Sequence, residues 1–123
     1  MPQDGRKVLI VEDNDLNLKL FKDLLEAHGF LTVETRDGRL AVGMAKQEKP
    51  DLIIMDIQLP HMSGIEIIEL LKADKKLKHI PIIAVTAFAM KGDEERILET
   101  GCEAYLPKPI SIDSFLKAIK DYI

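Results

Sequence analysis

Apolar residues along this chain come in two arrangements that take turns. Val8-Leu9-Ile10-Val11, Leu52-Ile53-Ile54-Met55 and Ile82-Ile83-Ala84-Val85 are unbroken runs. Short continuous runs of this kind, bounded by polar or turn-forming residues, predict strands buried on both faces. Leu31-Thr32-Val33-Glu34-Thr35 alternates instead, and Cys102-Glu103-Ala104-Tyr105-Leu106 is of mixed polarity. These two predict strands near a sheet edge, where one face meets solvent.

Between the runs, apolar residues recur at helical spacing. Leu16, Leu20, Phe21, Leu24 and Leu25 follow a cap at Asn14 or Asp15, and Leu40, Ala41, Met44 and Ala45 follow one at Asp37. Ile65, Ile67, Ile68 and Leu71 follow a helix start at Ser63 or Gly64, and Ile112, Phe115, Leu116, Ile119 and Ile123 follow Ser111. Polar caps before an apolar stripe predict amphipathic helices with that stripe facing a core. Another helix, about Lys91 to Thr100, is mostly charged, with Ile97 and Leu98 as its few anchors. It is expected to be thinly attached. Gly29 and Gly101 end helices, and Gly43 weakens the second one by up to about 1 kcal/mol relative to Ala.

Strand and helix therefore alternate five times. That alternation predicts an α/β domain with a parallel sheet and right-handed crossovers. The three continuous runs belong in the middle of the sheet and the two mixed strands at its edges, which the order 2-1-3-4-5 satisfies. With 123 residues and no repeat or low-complexity tract, one domain over residues 1–123 is expected.

Composition narrows the function classes. A net charge of −4 argues against a nucleic-acid surface, which needs a concentrated basic face. No apolar stretch approaches the length of a membrane span, and the polar start Met1-Pro2-Gln3-Asp4-Gly5 is no secretory signal. Cys102 is the single cysteine, so no internal disulfide forms and a small buried hydrophobe is its simplest role. A cytoplasmic protein is expected.

The candidate chemistry sits just past the strands. Glu12 and Asp13 follow the first, Asp56 ends the third, Thr86 ends the fourth and Lys108 follows the fifth. Ligands of such sheets bind outside the carboxyl ends of the strands. Two carboxylates about 4 Å apart repel by about 4 kcal/mol at an effective dielectric near 20, a repulsion that a cation relieves. Oxygen ligands without His or Cys suit a hard ion, Mg²⁺ above all. Lys108 adds a positive charge and Thr86 a hydroxyl for an anion. Asp56 is then the candidate nucleophile for phosphoryl transfer, since carboxylates form aspartyl-phosphates. Taken singly, Glu12-Asp13 reads as a turn, Thr86 as a strand-end polar residue and Lys108 as a solvated charge. Jointly they form a site. His28, His61 and His79 lie away from this rim and are assigned no chemistry.

In order and spacing, Val11-Glu12-Asp13-Asn14, Met55-Asp56-Ile57-Gln58-Leu59-Pro60, Val85-Thr86-Ala87 and Lys108-Pro109 resemble the response-regulator receiver domain over almost the whole chain. Ala87 to Arg96 and Gly101 to Tyr105 resemble the stand-alone cell-cycle regulators of that family in particular. The resemblance implies a flavodoxin-like (βα)5 fold with no output domain. It implies a two-state switch in which a histidine kinase or phosphotransfer protein donates a phosphoryl group to Asp56. Mg²⁺ would be held by Asp13, Asp56 and the main-chain carbonyl of Gln58, with Glu12 acting mainly through a water. Thr86 and the Ala87 amide would bind phosphoryl oxygens, Lys108 would pair with them, and Tyr105 would turn inward as Thr86 moves. On the residues alone, Tyr105 is equally a half-buried edge-strand aromatic. The Lys108–Pro109 bond would be cis. Glu12 departs from the commonest pattern by one methylene, which leaves its reach to the metal open, and Pro107 removes a backbone donor before Lys108.

Output would pass by protein–protein contact through the fourth helix, fifth strand and fifth helix to partner kinases or downstream regulators. The expected state is a monomer, with a phosphorylation-linked dimer as the alternative. Two rival functions are a Mg²⁺-dependent phosphohydrolase and a phosphorylation-independent adaptor. The hydrolase needs an acid/base Asp two residues after the nucleophile, where this chain has Gln58. The adaptor leaves the acidic, hydroxyl and lysine set without a purpose.

Overall fold

Five parallel strands form one sheet: β1 (Lys7–Val11), β2 (Leu31–Thr35), β3 (Leu52–Asp56), β4 (Ile82–Thr86) and β5 (Ala104–Pro107). Their spatial order is β2-β1-β3-β4-β5. Five helices connect and cover them: α1 (Asp15–Ala27), α2 (Ala41–Glu48), α3 (Gly64–Ala73), α4 (Lys91–Glu99) and α5 (Ile112–Tyr122). This computed structural model describes residues 6–60, 62–87 and 91–123, without the side chains of 91–93. The polar start at 1–5, His61 and residues 88–90 of the family-like stretch lie outside the described residues.

The unbroken apolar runs are explained by the two cores they separate. Leu9, Val11, Ile53, Met55, Ile82 and Ala84 face α2, α3 and α4, where Ala41, Ala45, Ile67, Ile68, Leu71 and Ile97 meet them. Their neighbours Val8, Ile10, Leu52, Ile54, Ile83 and Val85 face α1 and α5. There Phe21 and Phe115 stack with ring centroids 5.0 Å apart. Alternate residues of one strand thus enter opposite cores, so the inner positions of β1 after Lys7, and of β3 and β4, are apolar until the strand ends.

Helix ends follow their caps. Asn14, Ser63 and Ser111 each accept a backbone N–H from the first turn of α1, α3 and α5. Gly29 and Gly101 hold left-handed backbone after α1 and α4, at φ 88° and 96°. Asp37 caps a 3-10 turn over Gly38–Leu40 rather than α2 itself, whose N-cap Leu40 makes no side-chain bond.

Four side chains depart from the expected inward positions. Leu16 is 79% exposed, and Leu40, Leu98 and Ile112 are exposed as well. Each stands in or beside the first or last turn of its helix. Among the described residues of α4 that leaves Ile97, 2% exposed, as the buried anchor. The fifth strand also starts later than its sequence suggests, at Ala104 rather than Cys102, and runs on to Pro107. Proline is tolerated there because β5 is an edge strand, so no ladder donor is lost.

Candidate functional site

The sheet register brings the strand ends to one level. Val11 pairs with Met55, Asp56 with Val85, and Thr86 with Pro107. Glu12, Asp56, Thr86 and Lys108 therefore leave neighbouring strands at the same rim. The Glu12 amide donates to the Thr35 carbonyl at 3.1 Å and the Lys108 amide to the Thr86 carbonyl at 2.7 Å. These two bonds carry the ladder one step past the strands and aim both side chains inward.

Glu12 is fully buried, and Asp56 is 2% exposed. Glu12 Oε2 accepts the N–H groups of Asp13 and Asn14 at 3.1 and 3.4 Å. Glu12 Oε1 has no hydrogen-bond partner among the described residues and faces Lys108 Nζ at 3.2 Å. The same ammonium lies 3.3 Å from Asp56 Oδ2. Asp56 Oδ1 accepts the Gln58 N–H at 2.9 Å. One cation thus serves two buried carboxylates. Burial, and then the neighbouring Asp56, push the Glu12 carboxyl up to about 7, while Lys108 pulls it the other way.

A third carboxylate completes the group. Oxygens of Glu12, Asp13 and Asp56 all lie within 4.8 Å of one another. Asp13 is exposed and forms the open side of the cluster. The all-oxygen donor set, with the buried Glu12 Oε1 balanced only by the Lys108 ammonium at 3.2 Å, fits a hard divalent ion at this spot. Beside it, Asp13, Gln58, Thr86 and Arg96 border a cleft of about 580 Å³, which gives solvent a path to the rim.

Two features of this rim were not legible in the sequence. The Gln58 side chain crosses the gap, and its Oε1 accepts the Ala87 N–H at 2.9 Å. The resemblance gave Gln58 a place in the site through its main-chain carbonyl alone, because an amide side chain announces no fixed partner. The other is Gly64 at the start of α3. Its N–H donates to the Ile57 carbonyl at 3.0 Å, and a Cβ there would collide with the Asp56 carbonyl and stand 2.7 Å from Ile57 Cα. Only glycine lets α3 press against the backbone that carries Asp56.

The remaining residues of the predicted set divide in two. Thr86 is fully buried at the end of β4, and the Lys108–Pro109 peptide is cis. Tyr105 stands apart from the carboxylates. It is half-buried against the α2–α4 core, and its hydroxyl bonds Glu94 on α4, which pushes the phenol pKa upward. Among the described residues no helix is long and apolar enough to cross a membrane.

Comparison with known proteins matches this arrangement. Residues 8–120 match the pattern of the response regulator receiver domain. The chain is 59% identical over 118 residues to the polar-differentiation response regulator DivK of Brucella anthropi, covering 96% of each chain. The DivK proteins of Brucella ovis and Brucella suis match equally well, at 59% over 118 residues. Among solved structures, the receiver domain of a sensor histidine kinase from Pseudomonas aeruginosa, with a magnesium ion coordinated in its active-site cleft, superposes with a TM-score of 0.88. It is 32% identical, over 96% of this chain and 97% of that one. The chemotaxis protein CheY4 of Vibrio cholerae superposes at 0.89 with 25% identity, over 96% and 98% of the two chains.

Proposed function

This chain belongs to the response regulator receiver domain family, and on that premise we propose that it is a phosphorylation-dependent switch with Asp56 as the phosphoryl acceptor. The single observation that carries the reading is the convergence of Glu12, Asp13 and Asp56 within 4.8 Å beside an ammonium 3.3 Å from Asp56. An acceptor carboxylate needs neighbours that neutralise the incoming phosphoryl charge, and this rim holds both a cation and a place for another.

In this reading a phosphohistidine of a kinase or phosphotransfer protein is the donor. An Asp56 carboxylate oxygen forms the new bond to phosphorus as the phosphorus–nitrogen bond breaks, and the imidazole keeps the electron pair. Mg²⁺ would be held by Glu12, Asp13, Asp56 and the Gln58 main-chain carbonyl, and the chemistry it supplies is charge neutralisation. Lys108 pairs with a phosphoryl oxygen, and Thr86 and the Ala87 amide bind the others. The protein catalyses only its own phosphorylation and dephosphorylation. Its output is a change in protein–protein contact through α4, β5 and α5 in the cytoplasm, where Ile97, the one well-buried side chain of α4 among the described residues, leaves two arrangements close in energy. The similarity to DivK supports a role in polar differentiation and division control, with histidine kinases among the partners.

Acetyl phosphate with Mg²⁺, followed by intact mass, tests the acceptor. A phosphoryl adduct on the wild type and none on Asp56→Asn is the expected result; an adduct on both, or on neither, sinks the assignment.

The Gln58 bridge adds a second expectation. The Ala87 N–H already has an acceptor, so phosphoryl binding has to displace the carboxamide. A hydrogen bond of this kind is worth about 1 kcal/mol net, so Gln58→Ala is expected to take up phosphoryl from acetyl phosphate about fivefold faster. Time-resolved intact mass reads the rate, and an unchanged rate would show that the bridge offers no resistance.

A further inference from the structure

At the end of the sheet away from Asp56, one ion pair fastens several elements together. Lys72 stands in the last turn of α3 and Glu103 just ahead of β5. Lys72 Nζ donates to Glu103 Oε2 and Oε1 at 2.9 and 3.0 Å, to the Ile80 carbonyl at 3.1 Å and to the Lys78 carbonyl at 3.2 Å. An ammonium carries three protons, so one serves the carboxylate and two serve the connection between α3 and β4. The lysine side chain is 14% exposed, and its stem runs beside Gly101, where a Cβ would stand 3.4 Å from Lys72 Cγ. An ion pair between two solvated side chains contributes little. Here the main chain holds both partners in place.

Glu103 is committed just as fully. Its Oε1 also accepts the Ile82 N–H at 2.8 Å, its own N–H donates to the Ile82 carbonyl at 2.9 Å, and its carbonyl accepts the Tyr122 hydroxyl at 2.9 Å. The end of α3, the first residue of β4, the approach to β5 and the last residue of α5 thus meet at one point.

The carboxyl end of α4 joins that point through a short, well-bonded turn. The Ile97 carbonyl accepts the Thr100 N–H at 3.1 Å and the Cys102 thiol at 3.3 Å, and the Leu98 carbonyl accepts the Gly101 N–H at 3.1 Å. Gly101 turns the chain at φ 96°, and only Cys102 separates it from Glu103. Ile97 and Cys102 are both buried, so the turn is packed as well as bonded.

The opposite end of α4 leads back to a contact of another kind. Ala87 donates its N–H to the Gln58 carboxamide at 2.9 Å, and in the reading above phosphoryl binding displaces that partner. One end of the helix is therefore joined to a contact that changes with phosphorylation. The other is fastened about 15 Å away, beyond the five residues of β4 at ordinary strand rise. Phosphoryl chemistry does not reach the bonds there.

A stiff rod pulled at one end and held at the other turns about the held end. We propose that the Lys72–Glu103 pair is the fixed post of a hinge, and that α4 swings about Gly101 when the phosphorylation state changes. The inference rests on the reading of Asp56 as phosphoryl acceptor, although no residue of the acceptor rim belongs to the hinge. Displacement of a rigid helix grows with distance from its pivot. At 1.5 Å per residue, Glu95 lies about 9 Å from Gly101 and Glu99 about 3 Å, so Glu95 moves about three times as far.

Pulsed electron spin resonance distances in the full chain with Mg²⁺, before and after beryllofluoride, a stable mimic of a carboxyl phosphate, test this. One nitroxide is carried on α1 at Lys19→Cys and the other on α4 at Glu95→Cys or Glu99→Cys. All three positions are exposed, while Cys102 is buried and escapes labelling. The expected result is a distance change at Glu95 about threefold that at Glu99. Lys72→Met removes the ammonium and brings the two changes level. Glu103→Gln keeps an oxygen for the Ile82 N–H and loses only the charge; it lowers the ratio as well, and it replaces the methionine variant if that one folds poorly. Equal changes at the two positions with Lys72 and Glu103 intact, or a threefold ratio that survives both variants, overturn the hinge and leave Asp56 as acceptor. No change at either position overturns the hinge too, and the acetyl phosphate adduct then tells whether the acceptor reading has fallen with it.

Discussion

Lys108→Met destabilises the protein by about 3–5 kcal/mol at pH 8 with EDTA present, the usual consequence of removing one partner of a buried ion pair. The reason lies in how few groups share the work. Lys108 Nζ stands 3.2 Å from Glu12 Oε1 and 3.3 Å from Asp56 Oδ2, and neither carboxylate has appreciable contact with solvent. Without the ammonium, two buried negative charges repel each other by about 3–4 kcal/mol at an effective dielectric near 20. Domain stabilities are only about 5–15 kcal/mol, so urea midpoints at pH 8 should fall far below wild type. Lowering the pH repairs much of the damage. Glu12 binds a proton more readily in the folded state than in the unfolded chain, so its contribution is fully present below the unfolded value of 4.5 and lost as pH rises through about 7. The deficit of the variant should therefore shrink on going from pH 8 to pH 5. A midpoint equal to wild type at pH 8 would mean that Lys108 does not neutralise the pair.

The converse change, Glu12→Gln, should stabilise. At pH 8 the wild-type carboxyl is ionised against its burial and against Asp56. The amide removes that charge, and its carbonyl oxygen can still accept the Asp13 and Asn14 N–H groups now held by Oε2. A displacement from 4.5 to about 7, at about 1.4 kcal/mol per pKa unit, bounds the gain of the variant at about 3.5 kcal/mol. The gain fades by pH 5, where the wild-type carboxyl is protonated in the folded state. Millimolar Mg²⁺ reverses the order, since the wild type keeps three carboxylates for a cation and the variant two. Thermal unfolding at pH 5 and 8, each with EDTA and with Mg²⁺, reads all four cases. No stabilisation at pH 8 in EDTA would show that Glu12 is not the strained member of the cluster.

These two results rest on a site whose members were visible in sequence and whose charge state was not. Glu12, Asp56 and Thr86 stand directly after an apolar run, and a run that must be apolar to its end announces the residue where it stops. Gln58 and Gly64 carry no such mark. The carboxamide of Gln58 finds the Ala87 N–H only because β3 and β4 are neighbours, and the need for glycine at 64 exists only because α3 begins against the Asp56 carbonyl.

The chain by itself determined its five strands, their central and edge places, the helices between them and the residues that gather at one rim. Periodicity and run length suffice for that, because a strand covered on both faces cannot hide a polar side chain. Tertiary structure alone decided which stripes are covered. Leu16, Leu40, Leu98 and Ile112 share the spacing of buried neighbours yet face solvent, because spacing assigns a residue to a face while only the packed partner says how far along the helix that face is met. It decided likewise that Glu12 lies at zero exposure beside Asp56 and Lys108, since distance and dielectric belong to the assembled rim and to no single segment.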